Sequence, residues 1–114
     1  MEKLEDKKCV PCRGDAPALT DAEIAELKPQ IPGWEVVTQD GVKHLRRQFK
    51  FDNFAQALAF TNRVGEIAEE EDHHPTIVTE WGMVTLDWWT HKIKGLHQND
   101  FVMAAKSNEL YTSA

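Results

Sequence analysis

The sequence contains no long apolar run and no excess of basic residues. No stretch of the 114 residues approaches the roughly 20 apolar residues needed to cross a bilayer, and Met1–Lys8 lacks the apolar core of a secretion signal. We therefore expect a cytoplasmic protein without membrane contact. Thirteen Lys and Arg against nineteen Asp and Glu give a net charge of -6, which disfavours direct binding to nucleic acid.

Cysteine is also scarce. The only two, Cys9 and Cys12, are spaced as C-x-x-C, which is typical of a redox couple or of half a zinc site. Pro11 and Gly14 do not suit a motif that opens a helix, and no second cysteine pair or nearby histidine completes four ligands. The pair therefore reads as reduced thiols without a function in a mobile segment, while a metal shared between subunits stays open.

One domain is expected, because the chain is long enough for a single modest core. Residues 1–18 mix charges, Pro and Gly without periodicity, which predicts a flexible N-terminal arm, and the domain covers residues 19–114. Its first helix begins at the Thr20-Asp21-Ala22-Glu23 capping box.

The remaining pattern predicts the order α-β-β-α-β-β-α. Two hairpins are expected, with turns at Asp40-Gly41 and Trp81-Gly82. The predicted strands and later helices are 34–38, 42–51, 53–71 (capped by Asp52), 76–80, 83–90 and 101–110. This order is typical of an α+β domain, with a four-stranded antiparallel sheet and three helices on one face.

The helix at 53–71 has more apolar surface than one sheet would cover. Phe60 and Ile67 extend an apolar stripe whose members are Phe54, Ala57, Leu58, Thr61, Val64 and Ala68. With the two sheet edges, this surplus predicts at least a homodimer. The helix ends in four acidic residues, Glu69–Asp72, so we also expect cationic or polar groups nearby to offset the unfavourable charge.

Three of the five histidines fall in the second half of the domain. His73 and His74 precede one strand of the second hairpin and His91 follows the other, so strand pairing should bring them together. Imidazole both donates and accepts protons near neutral pH, so such a cluster suits proton-transfer chemistry. His44 and His97 are interpreted as structural or surface residues.

A zinc site is the alternative for this cluster. Three imidazoles with Glu69 or Asp72 would leave an open coordination position. Adjacent histidines in extended chain point their rings apart, which disfavours chelation of one ion.

The ordered set of these residues resembles the pterin-4a-carbinolamine dehydratase family. The resemblance rests on Glu69–Pro75, Trp81, Thr90-His91, Gly95-Leu96 and Asp100, with Leu19-Thr20, Pro32–Trp34, Phe49–Phe51 and Phe54 upstream. It covers nearly all of residues 19–110. One departure is His97, which stands where the family usually has Ser or Thr before the last helix.

The resemblance implies a hydro-lyase that removes water from 4a-hydroxytetrahydrobiopterin and gives quinonoid dihydrobiopterin, with no metal and no cofactor. His73, His74 and His91 would be catalytic. Glu69 would hold one imidazole tautomer, and Pro75, Trp81 and Thr90 would bind substrate, with Trp34 and Trp88 as weaker candidates for the wall against the pterin ring.

The resemblance also implies partners. Family members are dimers or tetramers, and their substrate is produced by aromatic amino acid hydroxylases. The alternative is a binding or assembly cofactor, such as a dimerisation cofactor of a partner protein, although retention of all three histidines argues against a purely binding role.

Overall fold

A computed structural model describes residues 3–10 and 16–112. A single sheet has the antiparallel order β1-β2-β4-β3. The elements are α1 (Asp21–Leu27), β1 (Glu35–Gln39), β2 (Val42–Lys50), α2 (Phe54–Glu71), β3 (Thr76–Glu80), β4 (Met83–Trp88) and α3 (Gln98–Thr112). The predicted α+β order is thereby confirmed.

The helix ends follow local capping. At α1 the Thr20 hydroxyl accepts the Glu23 N–H and the Glu23 carboxylate accepts the Thr20 N–H, as the capping box predicts. The predicted cap of α2 was wrong by one residue. Asn53, not Asp52, has the extended backbone of an N-cap, and its side chain accepts the Gln56 N–H at 2.9 Å.

Both hairpins turn through residues with positive φ. Asp40 and Gly41 have φ of 54° and 79°, the left-handed pair that a two-residue turn between twisted strands requires. The register that follows pairs Gln39 with Val42 and, in the second hairpin, Glu80 with Met83. The two turns therefore set which ends of the strands meet.

The core lies between the helices and one face of the sheet. Phe49 of β2 and Trp88 of β4 are fully buried there, together with Phe60 of α2 and Phe101 of α3. The side chains alternating with them, such as Gln48 and Thr85, line the opposite face of the sheet. All three helices contribute to this one core.

The apolar stripe of α2 differs from the prediction. Its buried residues are Ala57, Phe60, Val64 and Ala68. Phe60 is thus a core residue and not surplus surface, while Phe54 and Leu58 are each 44% exposed. The helix is rotated so that the side chain with most area faces the sheet, where it contacts Phe49 and Phe51.

Residues 3–10 of the predicted arm lie against the domain. Leu4 is buried in the core, and the Lys106 ammonium donates to the Glu5 carbonyl at 2.9 Å. The mixed composition of this segment gave no sign of these contacts. The domain boundary at residue 19 stays a prediction, and Cys12 lies outside the described residues.

Within residues 3–10 and 16–112, no helix has both the length and the apolar character needed to cross a membrane.

Candidate active site

The second hairpin brings the three clustered histidines to one place. Thr76 at the start of β3 pairs with Asp87 near the end of β4, so the segments before β3 and after β4 lie side by side. His73, His74 and His91 line one cleft of about 360 Å³, a size typical of small-molecule sites. The other lining residues are Cys9, Val10, Glu71, Asp72, Thr90, Lys92 and Asn99.

The end of α2 aims the histidine pair. Asp72 takes a left-handed conformation with φ of 52°, and its N–H donates to the carbonyls of Ala68 and Glu69. The His73 N–H also donates to the Ala68 carbonyl, at 3.1 Å. The helix therefore ends abruptly, and His73 leaves it in a fixed direction.

His73 is held by a fully buried carboxylate. Its Nε2 lies 2.6 Å from Oδ1 of Asp100, while Oδ2 accepts the Thr90 hydroxyl at 2.8 Å and the His97 N–H at 2.9 Å. A carboxylate accepts hydrogen bonds, so the donor in this contact is the Nε2–H of His73. The other ring nitrogen, Nδ1, is then the one that can exchange a proton with a ligand. The His73 ring also lies parallel to the buried indole of Trp88, at 5.8 Å between centroids and 7° between planes.

His74 and Glu69 meet at the exposed rim. His74 Nε2 lies 3.3 Å from Glu69 Oε2, and both side chains are more than half exposed. Glu69 thus touches a histidine ring, as predicted, but it is not among the residues that line the cleft. Exposure weakens this contact relative to the buried Asp100 pair.

His91 is oriented by stacking. Its ring lies 4.3 Å from that of Trp89, and the other face of Trp89 stacks on His44 at 3.9 Å with 3° between planes. Within the described part of the chain, no hydrogen bond engages the ring nitrogens of His91, so both are available to a ligand.

The far end of this stack is anchored by a buried carboxylate on β4. Asp87 lies 3.0 Å from His44 Nδ1 and accepts two hydrogen bonds from Arg46, at 2.7 and 2.8 Å. Burial alone raises the pKa of Asp87, but the hydrogen bonds from Arg46 and His44 outweigh it and hold the pKa below its usual value. His44 is therefore structural, as expected, and supports the ring that His91 stacks on.

His97 caps α3. Its Nδ1 accepts the Asn99 N–H at 3.0 Å, which is an N-cap contact made by imidazole in place of a hydroxyl, while the Asp100 carboxylate accepts the His97 N–H as in the return half of a capping box. The structural interpretation of His97 thus agrees with its contacts.

Three predicted substrate residues lie apart from the cleft or are otherwise engaged. Trp81 is 75% exposed in the β3–β4 turn, at the opposite end of the hairpin from the histidines, about 13 Å along β3. Pro75 is half-buried and is not among the residues lining the cleft, whereas Thr90 lines it with its hydroxyl committed to Asp100. Trp34 is in the core.

Sequence reasoning missed the part of the cleft that comes from the N-terminal segment. Cys9 and Val10 line it, and Asn99 holds them there. Burial, with the nearby carboxylates of Glu71 and Asp100, raises the pKa of the Cys9 thiol to about 12, so it stays protonated at neutral pH. Only the Asp that ends the family pattern, Asp100, gave a signal for this region.

Metal-ligand geometry is not present in the described residues, where no three His, Cys, Asp or Glu side chains converge on one point. Glu69 and Glu71, from the acidic end of α2, instead contact His74 and the Cys9 N–H. These are the offsetting polar groups that the charge pattern predicted.

A larger concavity of about 540 Å³ lies on the open face of the sheet. Its one histidine is His44, whose ring already contacts Asp87 and Trp89. The smaller cleft is the better candidate because it holds the three histidines with room for proton exchange.

A helix-backed antiparallel sheet and a histidine-lined cleft at one end of its second hairpin define a small α+β protein with one candidate site for a small molecule. The chain belongs to the pterin 4 alpha carbinolamine dehydratase family, whose model matches residues 17–110.

Curated relatives extend the match to nearly the whole chain. A protein of Nitrosococcus oceani is 56% identical over 96% of this chain and 97% of its own. One of Syntrophotalea carbinolica is 58% identical over 96% of this chain and 98% of its own. Both carry the name "Putative pterin-4-alpha-carbinolamine dehydratase".

Solved structures share the fold. A transcriptional coactivator/pterin dehydratase from Brucella melitensis is 32% identical, with a TM-score of 0.75 over 82% of this chain and 98% of that one. A pterin dehydratase-like protein identified as a RuBisCO assembly factor in the alpha-carboxysome is 22% identical, with a TM-score of 0.60 over 72% of this chain and 93% of that one. The second likeness concerns the fold alone.

Proposed function

We propose that this protein is a hydro-lyase that eliminates water from 4a-hydroxytetrahydrobiopterin to give quinonoid dihydrobiopterin. The observation that carries the proposal is the meeting of His73, His74 and His91 in one small-molecule-sized cleft. Family membership supports the pterin as the substrate class.

The reaction needs two proton transfers and no change of oxidation state. The C4a–O bond breaks and the hydroxyl leaves as water after receiving a proton, while the proton on N5 is removed and its electron pair forms the C4a=N5 double bond. One proton is delivered and one is taken, so the number of protons on the protein is unchanged, and proton exchange with water then restores the acid and the base. Imidazoles positioned at these two atoms supply a gain of about 10² to 10⁴ in rate.

His73 and His91 are the groups assigned to these transfers. Asp100 holds His73 by Nε2 and leaves Nδ1 to exchange a proton with the substrate. Stacking on Trp89 fixes the plane of His91 without using its ring nitrogens. One imidazole is thus oriented by a hydrogen bond and the other by packing, so both are pre-organised for transfer.

His74 and Glu69 form the outer rim of the proposed site. We propose that His74, whose Nε2 is already engaged by the Glu69 carboxylate, holds the substrate at the entrance together with Glu69, while His73 and His91 transfer the protons. Thr90 orients Asp100 through its hydroxyl, and no role in binding is assigned to Trp81 within this chain.

A binding or assembly role is the second candidate. It is favoured by the Brucella structure, which is described as a transcriptional coactivator as well as a pterin dehydratase. Such a role, for example as a dimerisation cofactor, has no need of a buried Asp100–His73 pair beside two further histidines. We therefore propose the binding or assembly role as an addition to the dehydratase activity and not as its replacement. The protein would act in the cytoplasm and serve an aromatic amino acid hydroxylase.

The test is an assay of carbinolamine dehydration by the purified full chain, before and after exhaustive chelation. The proposal expects turnover above the spontaneous rate and no loss on chelation, because no step is assigned to a metal or cofactor. Absence of acceleration would refute the dehydratase. Stoichiometric zinc, with activity lost on its removal and restored with it, would favour the zinc alternative.

A further inference from the structure

The cleft has a wall that comes from outside the family domain. The family model begins at residue 17, yet Cys9 and Val10 line the cleft beside His73, His74 and His91. The N-terminal segment therefore contributes Cys9 and Val10 to the candidate site as well as Leu4 to the packed core.

The Asn99 side chain holds this wall by a two-way pairing with the backbone. Its Oδ1 accepts the Val10 N–H at 3.0 Å, and its Nδ2 donates to the Val10 carbonyl at 2.8 Å. Asn99 is buried, so losing either bond would leave a desolvated amide group without a partner. The pairing imitates one rung of a sheet ladder and fixes the position of Val10.

A further hydrogen bond ties the wall to the end of α2, and its partner Asn99 ties it to the start of α3. The Cys9 N–H donates to the Glu71 carboxylate at 2.6 Å, at the end of α2 that leads to His73. Asn99 precedes Asp100, which holds His73. Farther back, Leu4 is buried in the core. The wall is therefore fixed relative to the histidines.

The wall presents an uncharged surface. Val10 is 57% exposed, so its methyl groups are accessible at the cleft, and the Cys9 thiol beside it stays protonated at neutral pH. Apolar contact of this kind suits one face or edge of a flat heteroaromatic ring, whose polar atoms then face the histidines.

We propose that Val10 contacts the bound pterin and is a specificity-determining residue, and that Asn99 is the positioning residue that holds it. This inference rests on the dehydratase activity proposed above. It makes the N-terminal segment part of the substrate-binding surface.

The first test is direct binding, followed by NMR on the full chain. The probe is 7,8-dihydrobiopterin, which carries the ring system without the leaving hydroxyl. The Val10 methyl signals and the ring protons of His73 and His91 are expected to shift along the same saturation curve.

The second test is kinetic. Val10→Ala is expected to raise KM about three- to tenfold and to change kcat less than about twofold, because apolar contact is lost while proton transfer is kept. Val78→Ala is the matched control, because Val78 is a half-exposed valine on the open face of the sheet. It should leave both constants unchanged.

For Asn99, the Val10 N–H supplies a readout that does not depend on activity. Asn99→Ala should speed exchange of that N–H with solvent, since its acceptor is removed, and should raise KM as Val10→Ala does.

The outcomes separate the two proposals. In one outcome the probe shifts the histidine signals but not the Val10 methyl signals, and Val10→Ala has wild-type kinetics. That outcome refutes the role proposed for Val10 and leaves the dehydratase proposal intact. In the other outcome the probe shifts neither the histidine nor the Val10 signals, and the wild-type chain does not accelerate dehydration. That outcome refutes the proposed function and, with it, the role of Val10.

Discussion

Asp100 joins the parts of the candidate site at the scale of single residues. Its carboxylate accepts hydrogen bonds from the His73 ring, the Thr90 hydroxyl and the His97 N–H just before α3. The sequence identified Asp100 as the last member of the family pattern, but a pattern does not state which atoms meet. Its contact with His73 depends on where α3 begins relative to the end of α2.

Asp100→Asn should lower turnover by about a hundredfold or more while leaving the fold intact. The His97 N–H needs an acceptor, so the amide oxygen stays there and the NH₂ faces His73. His73 must then accept at Nε2 and carry its proton on Nδ1, the nitrogen assigned to exchange. Nitrogen-15 NMR of the ring reports the tautomer, and kcat reports the consequence.

Asp87→Asn is the matched control for Asp100→Asn, because it neutralises another buried carboxylate, one that contacts His44 and Arg46. Its kcat should stay far closer to that of the wild type. A folded Asp100→Asn variant with wild-type turnover would contradict the role given to Asp100.

Trp81 shows the limit of inference from a pattern at this scale. Its place in the family resemblance suggested contact with substrate, but in the structure it occupies the turn at the far end of the hairpin. The register of a hairpin decides which end a residue reaches, and the Trp81-Gly82 turn was itself predicted. The family resemblance named Trp81 without following that register, and its role in binding substrate stays a prediction.

At the scale of elements, local signals predicted the fold well. The Thr20–Glu23 capping box and the Asp40-Gly41 turn act through neighbouring backbone groups, so they can be recognised without tertiary contacts. The rotation of α2 and the docking of residues 3–10 could not be predicted, because they depend on which surfaces of distant elements fit together. The hydrogen bonds from Asn99 and Glu71 that hold one side of the cleft depend on contacts of this second kind.

Asp87 of β4 contacts His44 and Arg46 of β2, and this contact predicts that the folded protein loses stability in acid. Asp87 has a lowered pKa in the folded protein, so it stays ionised while the unfolded chain takes up a proton near its ordinary pKa of about 3.9. Its stabilisation is therefore present above that pH and is lost as the pH falls through the folded value.

Urea unfolding of the wild type and of Asp87→Asn between about pH 3 and pH 6 checks this. The variant should be less stable at the upper end, and the difference should shrink toward the lower end. A difference that is constant with pH would show that Asp87 acts by packing and not by its charge.

At the scale of the whole molecule, the apolar surface that α2 leaves exposed is not the one expected from the sequence. Phe60 is buried, but Phe54 and Leu58 of α2 remain exposed, and β1 and β3 are the two sheet edges. The expectation of at least a homodimer therefore stays a prediction, now with the Phe54–Leu58 face of α2 as the contact.

Light scattering at micromolar concentration should give the mass of a dimer or tetramer. Leu58→Glu should lower that mass, because it places a charge in the contact. Gln56→Glu adds the same charge at an exposed polar position on another face of α2 and should not lower it. A monomeric mass for the wild type would show that this face has no partner of its own kind.

The central claim is that His73 and His91 transfer the protons of a dehydration, and the turnover of their alanine variants tests it most directly. His97→Ser is the matched control, because His97 caps α3 and a hydroxyl caps a helix at least as well. The account predicts that His73→Ala and His91→Ala each lower kcat by on the order of a hundredfold or more while His97→Ser stays near the wild type. Folded His73→Ala and His91→Ala proteins that both turn over at the wild-type rate would contradict it.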